Sequence, residues 1–168
     1  MKSTIVLFAS SRRNGNTGRL ADRIAETLGV EVVDLGALRI SAFDYDHKNR
    51  EDDFEPLMEK IFGCENVIFA SPVYWYAVSP AMKIFIDRIS DYLDLPELLE
   101  KGRGLRGKKG YVISTSISDE PDEPFIEAFK RTFNYLGMEF GGYIHANCND
   151  GYKPELYEDD IRRFIQNF

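Results

Sequence analysis

Ser10, Arg12, Asn14, Gly15, Asn16 and Thr17 fall within one run, Ser10-Ser11-Arg12-Arg13-Asn14-Gly15-Asn16-Thr17, that surrounds a glycine with hydroxyl, amide and guanidinium donors. Such a run at the start of a helix is suited to an anion, because successive backbone N–H groups and the positive helix end point the same way. Gly15 permits positive φ or a close approach of backbone to ligand. Capping of the helix by Asn16 or Thr17 is the plainer reading, and the same geometry serves both. Other phosphate loops do not fit the letters. A P-loop needs Lys followed by Ser or Thr after its last glycine, and Asn16 follows Gly15. The spacing G-x-G-x-x-G is missing, and neither Cys64 nor Cys148 is placed as a phosphatase nucleophile.

A second constellation is Ser71-Pro72-Val73-Tyr74-Trp75-Tyr76-Ala77-Val78-Ser79-Pro80, with three aromatics in a row between two prolines. A flat conjugated ring gives a physical reason for it: aromatic faces flank the ring, and a turn stiffened by Pro72 aims its amides consistently. The alternative is that Tyr74, Trp75 and Tyr76 pack on a helix below or on another subunit. An aspartate that would make this strand end a phosphoacceptor is replaced by Ser71-Pro72.

Both runs must be held by regular elements, and the hydrophobic pattern supplies them. Apolar runs at 4–9, 66–71 and 111–115, a shorter one at 30–33 and another near 138–146 read as strands. Between them Leu20, Ile24 and Leu28, then Phe54, Leu57, Met58 and Ile61, then Met82, Phe85, Ile86 and Ile89 recur at helical spacing. Phe125, Phe129, Phe133 and Leu136, and finally Tyr157, Ile161, Phe164, Ile165 and Phe168, do the same. Five βα units imply an α/β fold: a doubly wound, five-stranded parallel sheet of order 2-1-3-4-5 with helices on both faces, one domain over residues 1–168. The ligand crevice of that order lies between strands 1 and 3, where the two constellations sit.

Composition narrows the partners. Hydrophobic residues are 43% and charged residues 29%, as in an ordinary globular protein, and the formal net charge is -7. No broad basic field exists for nucleic acid, no apolar stretch reaches membrane-spanning length, and no signal peptide is evident; two cysteines need no oxidising compartment, so the cytoplasm is expected. Two isolated histidines, His47 and His145, make no metal site. Within 43–50, Tyr45 and His47 are candidate substrate contacts, with surface placement of His47 the plainer reading. The basic run Lys101, Arg103, Arg106, Lys108 and Lys109 either receives an acidic group such as a 2′-phosphate or is simply solvated, the stronger reading. Lys83 and Asp87 are expected to pair with each other.

The motifs Ser10-x-Arg12-x-x-Gly15-Asn16-Thr17 and Ser71-Pro72-Val73-Tyr74-Trp75…Met82-Lys83-x-Phe85-x-Asp87-Arg88 resemble the NAD(P)H-dependent FMN reductase family of flavodoxin-like proteins. The similarity is greatest to the branch that includes the iron–sulfur flavoproteins and covers nearly the whole chain. It implies non-covalent FMN. Ser10, Arg12, Asn14, Asn16 and Thr17 would lie about its phosphate, Pro72, Val73, Tyr74 and Trp75 along its isoalloxazine ring, and Thr115 and Ser116 on the ring's other side. The family often carries glycines after strand 4, where this chain reads Thr115-Ser116-Ile117-Ser118-Asp119-Glu120; the cluster cysteines of the related branch are absent from 41–54. The resemblance further implies an oxidoreductase that takes a hydride from NADPH or NADH and passes electrons to a small acceptor such as a quinone, free flavin or nitro compound. No side chain is required as nucleophile or base. A homodimer or homotetramer is implied, with Tyr76, Met82 and Phe85 as interface candidates. A flavodoxin-type electron carrier without NAD(P)H turnover is the rival reading, and a flavin-free module on the same scaffold a third.

Overall fold

The structure, a computed structural model, describes residues 3–168. Its elements run β1 (Thr4–Phe8), α1 (Asn16–Leu28), β2 (Val32–Asp34), α2 (Phe54–Phe62), β3 (Asn66–Pro72), α3 (Pro80–Arg88), single turns α4 (Asp91–Asp94) and α5 (Leu99–Gly102), β4 (Lys109–Ser116), α6 (Glu123–Leu136), β5 (Glu139–Asn147) and α7 (Glu158–Ile165). The strands pair in parallel in the order β2-β1-β3-β4-β5, as the alternation predicts.

Continuous apolar strands are needed because both faces of the sheet are covered. Ile5, Leu7, Val67, Phe69 and Val112 face one way and bury against α2, α3 and α6, where Phe85, Phe129 and Phe133 gather around Phe69. Their neighbours Val6, Phe8, Ile68, Ala70, Tyr111 and Ile113 face the other way, against Leu20, Ile24 and Leu28 of α1 and Ile161 and Phe164 of α7. Met82 and Phe85 belong to this interior, at 0% and 1% exposure, so they are core residues and not interface candidates. β2 is shorter than the apolar run 30–33 because the Val30 amide turns back to the Ala25 carbonyl at 3.0 Å and serves the end of α1 instead.

The segment between β2 and α2 is tied down by a buried cation. Arg88, at 0% exposure, donates through Nη1 to Asp52 at 2.5 Å and to the Ser41 carbonyl at 3.1 Å, and through Nε to Asp91 at 2.8 Å. Its guanidinium also lies 4.6 Å from the centre of the Phe54 ring. Asp91 in turn meets His47 Nδ1 at 2.9 Å. Pairing satisfies charges that would otherwise be costly to bury.

Candidate functional site

The carboxyl ends of β1, β3 and β4 open into a cleft of about 560 Å³, within the usual size range of small-molecule sites. Its wall includes Ser10, Arg12, Gly15, Asn16 and Thr17 from the loop after β1, Pro72, Val73, Tyr74 and Trp75 from the loop after β3, and Thr115 and Ser116 from the end of β4. The structure therefore brings together all the sequence-derived site residues except Asn14, whose exposed side chain lies off this wall.

The first loop leaves the amino end of α1 open. No side chain caps the helix and its first turn carries no acidic residue, whereas α2, α6 and α7 carry Glu55, Glu123 and Glu158 there. The positive end of α1 thus has no negative charge of its own. The two arginines divide their work. Arg13 forms a two-pronged pair with Asp22, at 2.6 and 3.0 Å, and lies over Phe8, whereas Arg12 makes no ion pair among the described residues. The Tyr152 amide donates to the Asn16 side-chain oxygen at 3.1 Å, a bond that fixes which way the side chain points.

Gly15 does not use the positive φ open to it. Gly15 has φ of -76°, open to any residue, and a β-carbon there would stand 3.2 Å from the Arg12 carbonyl. Gly18 is the demanding position: a β-carbon would come within 1.9 Å of the Arg13 carbonyl oxygen, so the loop packs flat on the helix only with glycine there.

The second loop is a tight hairpin. The Tyr74 and Ala77 amides and carbonyls exchange hydrogen bonds of 2.8 and 3.0 Å, with Trp75 and Tyr76 between them at φ of 49° and 65°. Two consecutive left-handed residues are normal in such a turn, but Asn and Gly are the usual occupants, and bulky side chains there are strained. Trp75 is 92% exposed and Tyr76 62%. The loop's base is locked by buried serines: the Ser79 amide donates to Ser71 Oγ, and Ser79 Oγ donates to the Ala9 carbonyl, each at 2.9 Å. Tyr74 crosses to the first loop, its phenol oxygen lying 3.3 Å from Ser10 Oγ and accepting from the Ser11 amide at 3.4 Å. Burial pushes the phenol up, but the bonds to Ser10 and Ser11 and the Arg12 charge outweigh it and hold the group below its ordinary value.

The third wall comes from β4 and β5. Thr115 is buried and its hydroxyl meets that of Thr17 at 2.7 Å. Ser116 leads into 117–118, held from behind by His145: Nδ1 lies 2.8 Å from Ser114 Oγ, and Nε2 lies 3.1 Å from the Ser118 carbonyl and 3.2 Å from Ser116 Oγ. A carbonyl only accepts, so Nε2 carries the proton and Nδ1 accepts from Ser114. Burial holds this imidazole below its ordinary value, in keeping with the neutral ring. Tyr76, Ile117, Ser118, Asp122 and Cys148 also line the cleft and were not among the expected residues. Ile117 and Ser118 only continue a run the sequence had flagged, but no spacing signals Cys148, which reaches the wall from the far end of β5. Burial pushes its thiol up to about 11, so it is a neutral wall element.

Other expected contacts lie elsewhere. Tyr45 and His47 are not on the cleft wall, His47 being turned onto Asp91. The basic run extends from α5 to the start of β4, whose first residue is roughly 23 Å of strand from the cleft, with Lys101 on Glu59, Arg103 on Glu100 and Lys108 on the Phe62 carbonyl. Its placement rules out a role beside the cleft. Lys83 and Asp87 pair at 2.5 Å, as their spacing predicts.

The donor set fits a phosphorylated, planar ligand: an uncapped helix end, an unpaired arginine and buried hydroxyls at one side, rigid aromatics and free amides at the other. Comparison with known proteins agrees. The chain is 32% identical over 153 residues to YwqN of Bacillus subtilis (strain 168), named as an NAD(P)H-dependent FMN-containing oxidoreductase, across 86% of this chain and 84% of the relative. It is 26% identical to the FMN-dependent NADH:quinone oxidoreductase of Stenotrophomonas maltophilia (strain K279a), across 80% and 73%. In fold it matches an FMN-dependent NADH-azoreductase of Bacillus anthracis in complex with FMN, with a TM-score of 0.71 at 13% identity over 99% and 97% of the two chains. None of these favours the electron-carrier reading. The family model of NADPH-dependent FMN reductase matches residues 3–145, and the chain belongs to that family.

Proposed function

We propose that the cleft holds FMN non-covalently, its phosphate at the amino end of α1 and its isoalloxazine ring along Pro72–Tyr76, and that the protein oxidises NADPH or NADH to reduce a small acceptor such as a quinone, a free flavin or a nitro compound. The observation that carries this reading is the meeting, in one cleft, of an uncapped helix end beside Arg12 and a strained aromatic hairpin. When bound, FMN supplies hydride acceptance from nicotinamide and electron delivery to the acceptor.

The chain's own part is binding and shaping. Arg12 and the first amides of α1 offset phosphate charge. One hydroxyl of the Thr17–Thr115 pair donates to the other, which leaves one proton for the ligand. The Trp75 and Tyr76 amides, which make no backbone hydrogen bond among the described residues, would be the donors that offset negative charge on the flavin. Trp75, Tyr76 and Ile117 exclude water at the open side. We propose further that the chain works as one domain, in the cytoplasm and as a homodimer or homotetramer, the exposed aromatic tip of the hairpin offering apolar surface to a second copy.

The test is to purify the protein, identify the flavin released on denaturation and follow NADPH and NADH oxidation with a panel of acceptors. FMN in the supernatant with multiple turnovers is the expected result. A preparation that neither carries nor takes up FMN overturns the proposal.

A further inference from the structure

We infer that the Tyr74 hydroxyl belongs to the phosphate end of the cleft, donating a hydrogen bond to the phosphoryl group and so making the site select a flavin monophosphate over the unphosphorylated flavin. The inference rests on the FMN reading above and reassigns Tyr74, whose place in the sequence puts it with the ring-lining residues.

Geometry carries it. The Tyr74 side chain leaves the loop after β3 and reaches the loop after β1, where its oxygen sits 3.3 Å from Ser10 Oγ and 3.4 Å from the Ser11 nitrogen. Ser10 Oγ also accepts from the Arg12 amide at 3.4 Å, so phenol, hydroxyl and two amides form one cluster around the anion loop. With the Ser10 hydroxyl donating to it as well as the Ser11 N–H, the phenol oxygen keeps its own proton for the phosphoryl group. Such a chain polarises the O–H and strengthens its next bond. Arg12, the unpaired cation of the cleft wall, adds a positive potential at the same place. The depressed phenol agrees with that field. The bonds of this cluster, at 3.3 to 3.4 Å, are long for O–H and N–H partners, so its donors can tighten onto a phosphoryl oxygen.

The role also explains the shape of the hairpin. The closed turn with left-handed Trp75 and Tyr76 fixes the Tyr74 backbone, and Tyr74 thereby joins the two loops at the cleft, above the Ser79–Ala9 bond at their base. Phosphate capture at the first loop then orders the tip of the ring-bearing loop through the Tyr74 phenol.

Tyr74→Phe keeps the ring and the hairpin and removes only the oxygen. Dissociation constants of FMN and riboflavin are measured by flavin fluorescence quenching for the wild type and the variant, stripped of bound flavin. Loss of a hydrogen bond to a charged group is expected to weaken FMN by about 10- to 100-fold and to leave riboflavin within about twofold, collapsing the preference for the phosphorylated flavin. Equal losses for both flavins, the signature of a merely structural role, or no loss for either, overturn this inference and leave the FMN reading standing. Failure of the wild type to bind FMN at all overturns both.

Discussion

The hydroxyls of Thr17 and Thr115, 98 positions apart in the chain, share a buried hydrogen bond of 2.7 Å that joins the first turn of α1 to the end of β4. It links the anion loop to the third wall of the cleft through two side chains that are each under 5% exposed. Because the pair is sealed, removing one partner strands the other. Thr115→Val is expected to cost about 1–3 kcal/mol of folding stability, and Thr17→Val a similar amount. The double variant is expected to cost less than the sum, since two apolar groups of matching shape leave nothing unpaired. Urea denaturation of the four proteins of this cycle checks it, and strict additivity contradicts the coupling.

Gly18 and Gly15 separate space from flexibility in the same loop. A β-carbon at position 18 would stand 1.9 Å from the Arg13 carbonyl, so Gly18→Ala must displace backbone. At Gly15 the nearest atom is 3.2 Å away and the backbone conformation is open to alanine. Gly18→Ala is expected to weaken FMN binding by at least about tenfold, in proportion to the positional accuracy such a site demands, and Gly15→Ala by about threefold or less. Titration with FMN compares them. A reversed order shows that conformational freedom at 15, not clearance at 18, shapes the loop.

Much of this cleft could be read from the letters, for a physical reason. Apolar strands between helical stripes determine the sheet order, and the order determines where the crevice lies, so Ser10–Thr17 and Pro72–Trp75 were placed together without knowing a single contact. What stayed hidden depends on three-dimensional pairing. Arg88 closes a motif in the sequence but carries no role there, and only the return of 41–53 over α3 turns it into the buried partner of Asp52 and Asp91. His47 is drawn from the surface by the same cluster. The left-handed hairpin at Trp75-Tyr76 is illegible because local preference points against it: neither residue type favours positive φ, and the closure between Tyr74 and Ala77 overrides them.

His145 makes the third wall sensitive to acid. Burial lowers its pKa below the ordinary 6.5, so in the window from 6.5 down to the folded value the unfolded chain binds the proton that the folded chain refuses. Its contribution is therefore fully present above 6.5 and is lost as pH falls through the folded value. Protonation also ends acceptance from Ser114 at Nδ1 and so loosens the strap on Ser116 and Ser118. The melting temperature is expected to fall between pH 7 and pH 5, and His145→Gln is expected to flatten part of that slope while lowering stability at pH 7. A variant with the wild-type slope shows that other groups, not His145, set the acid limit.

Trp75 and Tyr76 give the converse case, in which the ligand-free fold is expected to improve on mutation. Both hold left-handed backbone, where a bulky L residue costs about 1–2 kcal/mol, and both side chains are largely in solvent, so little packing is returned. Asn at 75 and Gly at 76 suit a two-residue turn of this hand. The double change Trp75→Asn with Tyr76→Gly is therefore expected to raise the stability of the flavin-free protein by about 1–3 kcal/mol, while Tyr74 still closes the turn onto Ala77. The aromatic faces beside the ring are lost with it, so FMN affinity and the rate of acceptor reduction are expected to fall together. Denaturation of the flavin-free proteins and FMN titration, run side by side, separate the effects. Stability gained and affinity lost means that the strain is held for the sake of the ring; a variant both less stable and unchanged in affinity means that the aromatics serve the fold instead.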